Sequence, residues 1–335
     1  MRYMRLYWSL GLWLLFMVAA YNYELCIYLS KQGIGQINVL LKAQSFEDFT
    51  AANSLNTQGK KNIELINAIK KYSVDSLGYK PTNNFNKIYD QQHKPILWVI
   101  TASEKYRLVP FEWDFPMIGK VSYKGFFEKE LALKEKDRLA ALGYDVGIRG
   151  VSAWSTLGWF NDPLLSSHIS KKTGNFCNLL FHELFHATFY KADNINNNEN
   201  LANFIAHKAT MQFLKNKNDS LSLKEYLHNH LQREKLNQFL HSETIHYSAF
   251  LKTIKTNKNA LILKQAYLID LTKKIKNSGI GSEKLQAITI DEILNEQNAY
   301  FIDYMQYNSK QDSLEKAFNN FYKGSIKNMV RSLNP

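Results

Sequence analysis

Cysteine is nearly absent from this chain, with Cys26 and Cys177 the two present. Two cysteines build no disulfide framework, and without a Cys-x-x-Cys pair a cysteine zinc site or a dithiol redox centre is excluded. Proline is scarce too, at 6 in 335 residues, which excludes proline-rich and collagen-like chains and leaves long stretches free to be helical. Acidic residues fall short of basic ones, 30 against 42, for a net charge of +12. Such a field attracts anionic lipid or nucleic acid in general. The lysines from Lys208 to Lys276 are nevertheless dispersed, which reads as solvated faces of long helices, and no nucleic-acid partner is expected. Internal repeats and low-complexity tracts are missing. What remains, 45% hydrophobic and 13% aromatic residues, is enough for one or two folded cores.

The N-terminus is basic at Arg2 and Arg5, and Leu6 to Ala20 carries no charge. This reads as an export signal. Val18-Ala19-Ala20 is an acceptable cleavage site, yet Tyr21 to Leu29 extends the apolar character with Glu24 as its single charge, close to the length a spanning helix needs. The expectation adopted is an uncleaved anchor over residues 1–30, with residues 31–335 as the folded domain. The basic flank would stay cytoplasmic, leaving a membrane-anchored, extracytoplasmic protein on the periplasmic side of the inner membrane.

Apolar spacing predicts two helices between Ile37 and Leu77, ended by Gly78, then a buried strand within His93 to Thr101. An amphipathic helix is predicted over Tyr123 to Leu142, ended by Gly143, and a glycine-bearing strand over Tyr144 to Phe160. A largely buried helix follows from Phe176 to Tyr190, then a polar turn, with Asn198 as N-cap of a helix toward Phe213. Lys224 to Lys276 reads as long paired helices, and Ile288 to Tyr307 and Ser313 to Leu333 as two more. The fold class expected is α+β, mainly helical, with a small sheet and long C-terminal helices.

The chemistry concentrates in His182-Glu183-Leu184-Phe185-His186. Residues four apart on a helix share a face, so the two imidazoles can reach one ion, with Glu183 beside them. In such sites a third protein ligand leaves room for a water that the metal acidifies, and the glutamate serves as general base. Two histidines on an apolar helix are costly to bury unless paired or coordinated. The first carboxylates downstream are Asp193 and Glu199. Glu199 is the better third ligand, because its helix can fold back antiparallel over the first, whereas Asp193 lies in the turn. Zn2+ is the expected metal.

His182-Glu-Leu-Phe-His186 with Asn198-Glu-Asn-Leu-Ala202 resembles the gluzincin pattern, in which an Asn-Glu-x-x-Ala helix supplies the third ligand. With the short spacing between these motifs, and with Gln32-Gly-Ile-Gly-Gln36, Gly143-Tyr-Asp-Val146 and Ser155-Thr-Leu-Gly-Trp-Phe-Asn-Asp-Pro-Leu164, the chain is similar to a family of exported or membrane-associated bacterial zinc aminopeptidases. The resemblance implies a zincin-like metallopeptidase core and a peptide substrate. It also directs attention to Tyr307, after Asn298-Ala299, as the oxyanion stabiliser, with His246 and Tyr247 as competitors.

Further roles follow from what such a site needs. Gly150 to Thr156 is the candidate edge strand for substrate, or else a plain core strand. Asn203, one turn after Glu199, is the candidate to orient a ligand histidine, and Asp162 is an available carboxylate for a substrate amino group. The rival class is a non-catalytic envelope scaffold with a structural metal site.

Overall fold

The computed structural model describes residues 23–115, 119–151, 161–191, 194–280, 288–305 and 311–333, and it divides into two units, 1–43 and 44–335. In the first unit the described part is helix α1, Tyr23–Lys42. Glu24, Lys31 and Lys42, with Gln32, Gln36 and Asn38, interrupt its apolar residues. The expected transmembrane anchor is thereby corrected: among the described residues no helix is long and apolar enough to cross a membrane. The membrane partner and the extracytoplasmic address built on that anchor are withdrawn with it. The uncharged segment 6–20 lies outside the described residues.

The second unit opens with α2, Phe46–Ala52, and α3, Thr57–Asp75, whose N-caps Ser45 and Asn56 accept from the amides of Asp48 and Gly59. Gly78, at φ +76°, then turns the chain into an irregular stretch. Strands β1, Ile88–Tyr89, β2, Leu97–Glu104, β3, Trp113–Phe115, β4, Gly119–Val121, and β5, Tyr123–Phe126, follow. Helix α4, Lys129–Ala141, leads through Gly143, at φ +87°, into β6, Tyr144–Val151. Residues 123–126, expected as the first turn of that helix, are instead strand: Gly125 opposite Val99 and Lys124 opposite Ile100 join them to β2. Strand β2 is the middle of an antiparallel sheet of order β5, β2, β6, and its Ile100 and Ala102 are fully buried.

A two-residue strand β7, Leu164–Leu165, pairs in parallel with β1 and leads into the short helix α5, Ser166–Ile169. The helices α6, Thr173–His186, α7, Ile195–Asn216, and α8, Ser220–Ile254, come next. The chain closes with α9, Ala260–Asn277, α10, Ile290–Glu296, α11, Asn298–Met305, α12, Gln311–Asn320, and α13, Ile326–Leu333. Each of the two last predicted helices is broken in two, at Gln297 (φ +46°) and around Gly324 (φ +70°). The protein is thus mainly helical with small sheets, an α+β arrangement.

Two apolar cores organise this unit. Helices α3, α6 and α7 build the first, with Ile66, Phe181 and Ala206 among its fully or nearly fully buried members. The second lies between α8, α9, α10 and α11, around Leu240, Leu268, Ile293 and Phe301. Helix α8 serves both: Tyr226 belongs to the first core and Tyr247 to the second.

One buried polar network joins the second core to the sheet. Lys264 of α9, fully buried, forms an ion pair with Asp145 of β6 and donates to the Lys105 carbonyl at 2.7 Å. The Asn298 amide donates to Asp145, its side chain donates to the Glu104 carbonyl at 2.7 Å, and it accepts from the Tyr247 hydroxyl at 2.6 Å. Burial pushes the Asp145 pKa up and that of Lys264 down, so each charge depends on the other. Lys264→Met, which leaves Asp145 without its cation, is expected to cost about 3–5 kcal/mol in urea unfolding. Adding Asp145→Asn should recover most of that loss. A double variant as unstable as the single one would show that lost packing, not stranded charge, is responsible.

Candidate metal centre

Helix α6 divides its residues between two faces. Phe176, Cys177, Leu180, Phe181, Leu184 and Phe185 are buried. The opposite stripe, Asn175, Asn178, Leu179, His182 and Glu183, together with Asn203 of α7, lines a cleft of about 380 Å³. Close packing fixes the helix in place. A Cβ on Gly174 would lie 2.4 Å from the Tyr226 Cβ, so only glycine lets α8 approach here. At the other end the Tyr79 hydroxyl donates to the Phe181 carbonyl at 3.4 Å, and the Lys80 amide donates to Thr188 Oγ1 at 3.1 Å.

Helix α7 runs back antiparallel to α6: His186, at the end of α6, meets Glu199 near the start of α7, and Phe181, further back on α6, meets Phe213 near the end of α7. Ala202, Ala206 and Ala209, all fully buried, keep the two backbones near each other. Asn198 is not the N-cap that the sequence suggests. The helix begins at Ile195, and Asn198, fully buried, donates to the Lys191 carbonyl at 2.8 Å and accepts from the Lys191 amide at 3.1 Å. It therefore clamps the connecting loop one residue before Glu199.

These constraints bring three donor groups together. His182 Nε2 and His186 Nε2 lie 3.0 Å apart, and Glu199 reaches them with Oε2 at 3.3 Å and Oε1 at 3.2 Å. All three ligand atoms fall within 4.8 Å of one another. Donors bonded tetrahedrally to one ion at about 2.0–2.1 Å sit roughly 3.3–3.4 Å apart, so the spacing and the nitrogen and oxygen donor set fit a single divalent ion. His186 Nδ1 is buried with no hydrogen-bond partner among the described residues, and His182 hydrogen-bonds to Asn203.

The local electrostatics suit that use. Burial would raise the Glu199 pKa, but the hydrogen bonds from His182 and His186 outweigh it and hold the carboxyl well below its usual range, ionised and ready to bind a cation. Burial works against a charged His182, yet Glu199 and Glu183 together shift its pKa upward. Glu183 is pushed up chiefly by burial, opposed by the two histidines and reinforced by Glu199 and Asp162. A carboxyl whose pKa is raised in this way, at the wall of a cleft, is suited to accepting and returning a proton.

Other expected residues are placed less fully. Tyr307, Asp193 and residues 152–156 lie outside the described residues. Tyr247 is committed to the second core by its bond to Asn298, and His246 is exposed on α8, 3.9 Å from Glu243. Asp162 is buried and within electrostatic reach of Glu183. On β6 the Ile148 amide bonds to Glu296, so that part of the strand edge is closed, and Gly150 packs against Pro95. Sequence reading missed the loop clamp of Asn198, because an asparagine before a helical pattern signals an N-cap first.

A family model described as "Putative aminopeptidase" matches residues 27–332. No curated protein and no solved structure matches the chain.

His186→Ala is expected to abolish stoichiometric divalent-metal binding in calorimetric titration, with the circular dichroism spectrum unchanged. Asn203→Ala should weaken binding about 10- to 100-fold, the usual cost of removing a group that orients a ligand. Undiminished affinity in His186→Ala would place the metal elsewhere.

Proposed function

The chain belongs to the family described as "Putative aminopeptidase", and from that premise we propose that it is a zinc-dependent peptidase, specifically an aminopeptidase, with a zincin-like core in a domain spanning residues 31–335. The observation that carries this reading is the convergence of His182, His186 and Glu199, with His182 and the neighbouring Glu183 lining a cleft. A peptidase needs a metal held by protein on one side and open to substrate on the other, and the half-exposed carboxylate of Glu199 next to the cleft leaves that opening.

In this reading His182, His186 and Glu199 hold the zinc. Bound there, zinc lowers the pKa of water and polarises a carbonyl. Glu183 takes the proton of the attacking water and returns it to the leaving amine, a role that its raised pKa supports. Asn203 keeps the His182 ring in register through its hydrogen bond. Glu199, ionised, supplies the negative charge that a site of two neutral imidazoles lacks. Tyr307 is the donor proposed for the developing oxyanion, and the segment Gly150 to Thr156, which follows the edge closed by Glu296, is proposed to hold the substrate backbone. Asp162, buried and within electrostatic reach of Glu183, is the carboxylate proposed to receive a substrate amino group.

Zinc-loaded protein is expected to release N-terminal residues from a mixed peptide pool, read by mass spectrometry. A chelator should stop the release, and added zinc should restore it. Glu183→Gln should retain zinc while kcat falls about 10²- to 10⁴-fold. If the zinc-loaded wild type cleaves nothing in a Glu183-dependent way, the peptidase reading is wrong.

A further inference from the structure

The cleft that holds His182 and Glu183 is lined at its other end by Lys171 and Lys172. A second cleft, of about 300 Å³, shares Asn178 and Asn203 with it and carries Lys208 and Arg233 alongside Glu234, Asp312 and Glu315. The two adjoin as a groove along α6, with Lys171, Lys172 and Arg233 at the end away from the donor cluster and the carboxylates of the second cleft beyond them.

Two of these cations stand where a helix start disfavours positive charge. Lys172 is the N-cap of α6 and makes no capping bond, and Lys171 precedes it. The start of a helix favours carboxylates and disfavours cations, because unpaired amides already give it positive charge. Two of the basic residues are compensated: Lys172 by Glu225 at 2.6 Å and Lys208 by Glu315 at 2.8 Å. Lys171 and Arg233 have no ion-pair partner among the described residues. Arg233 donates to Asn175 Oδ1 at 3.1 Å, which fixes its guanidinium over the cleft. Burial first, and Arg233 second, lower the Lys171 pKa, so the two like charges feel each other. An anion between them would remove that repulsion.

Geometry sets how far this anion lies from the chemistry. Along a helix at about 1.5 Å per residue, Asn175 is roughly 10 Å and Lys171 roughly 16 Å from His182. An extended peptide covers that in about three to five residues. An aminopeptidase leaves one substrate residue on the N-terminal side of the cut, so a groove this long accommodates the C-terminal side. We propose that Lys171 and Arg233 bind a substrate carboxylate about three to five residues beyond the scissile bond, selecting short peptides by their C-terminal carboxylate or by an acidic side chain at that distance. The proposal rests on the peptidase reading above.

The test uses zinc-loaded full-length protein and neutral peptides of graded length, each made as C-terminal acid and C-terminal amide, with a third arm of amides bearing one glutamate. Wild type should favour acids over amides by about three- to tenfold in kcat/KM at the lengths where the carboxylate reaches the pair. The difference should appear mainly in KM and fade with added salt. In the glutamate arm, a regained preference assigns the site to acidic side chains as well, whereas its absence assigns it to the terminal carboxylate alone. Lys171→Gln with Arg233→Gln should erase the acid-over-amide ratio, and Lys171→Arg with Arg233→Lys should keep it. An equal ratio in wild type, or a preference that survives the Gln pair, would overturn the proposal. Affinities of the same peptides for Glu183→Gln, measured by calorimetry, separate the two readings: acid-selective binding without any cleavage by wild type keeps the groove and rejects the peptidase, while unselective binding rejects the groove.

Discussion

The close antiparallel packing of α6 on α7 is the constraint on which the rest depends. Three fully buried alanines on α7 let it approach α6 where larger residues would hold the two apart, and the glycine at the start of α6 lets α8 approach from another side. Only at that separation can a carboxylate on one helix meet two imidazoles on the other. The arrangement is expensive locally, since a nearly buried His186 and a partly desolvated Glu199 each give up water contacts. The apolar side of the same helices offsets the cost. Burying Phe181, Phe185 and Phe213 contributes about 1.5–3 kcal/mol apiece, and edge contacts of Phe181 with Tyr72 and Phe213 tie α3 into the same block.

Much of this was legible from the chain itself. His182 and His186 have the spacing of one helical face, and the apolar positions of the α6 helix announce which face goes inward. Glu199 was readable as a partner because a short polar turn forces the next helix back. Less was visible where local pattern and tertiary context compete. Residues 123–126 contain too few positions to distinguish a first helical turn from a short strand, and pairing with β2 decides the matter. Asn198 satisfies loop backbone instead of helix backbone, a choice that depends on where Lys191 lies.

Other features have no local signature at all. Lys264 and Asp145 are 119 residues apart, and nothing in either neighbourhood marks them as a buried pair. Asn175 and Arg233 meet across 58 residues. The exception is Lys171-Lys172, where cations at a helix start break a local preference, and such breaks tend to mark places where another demand prevails. The apolar N-terminus misled in the opposite direction: it matched a spanning segment in composition, while the helix that follows, with Glu24, Lys31 and Lys42, is too polar to serve as one.

Helix α8, 35 residues and roughly 50 Å long, has its own consequence. Tyr226 near one end touches Gly174 at the start of α6, Arg233 stands over the groove, and Tyr247 is anchored in the distant core. A single unbroken helix shared in this way leaves no seam at which the halves can open separately. Opening fluctuations of the C-terminal helices are therefore transmitted along its length, and the groove draws its rigidity from residues that never approach a substrate.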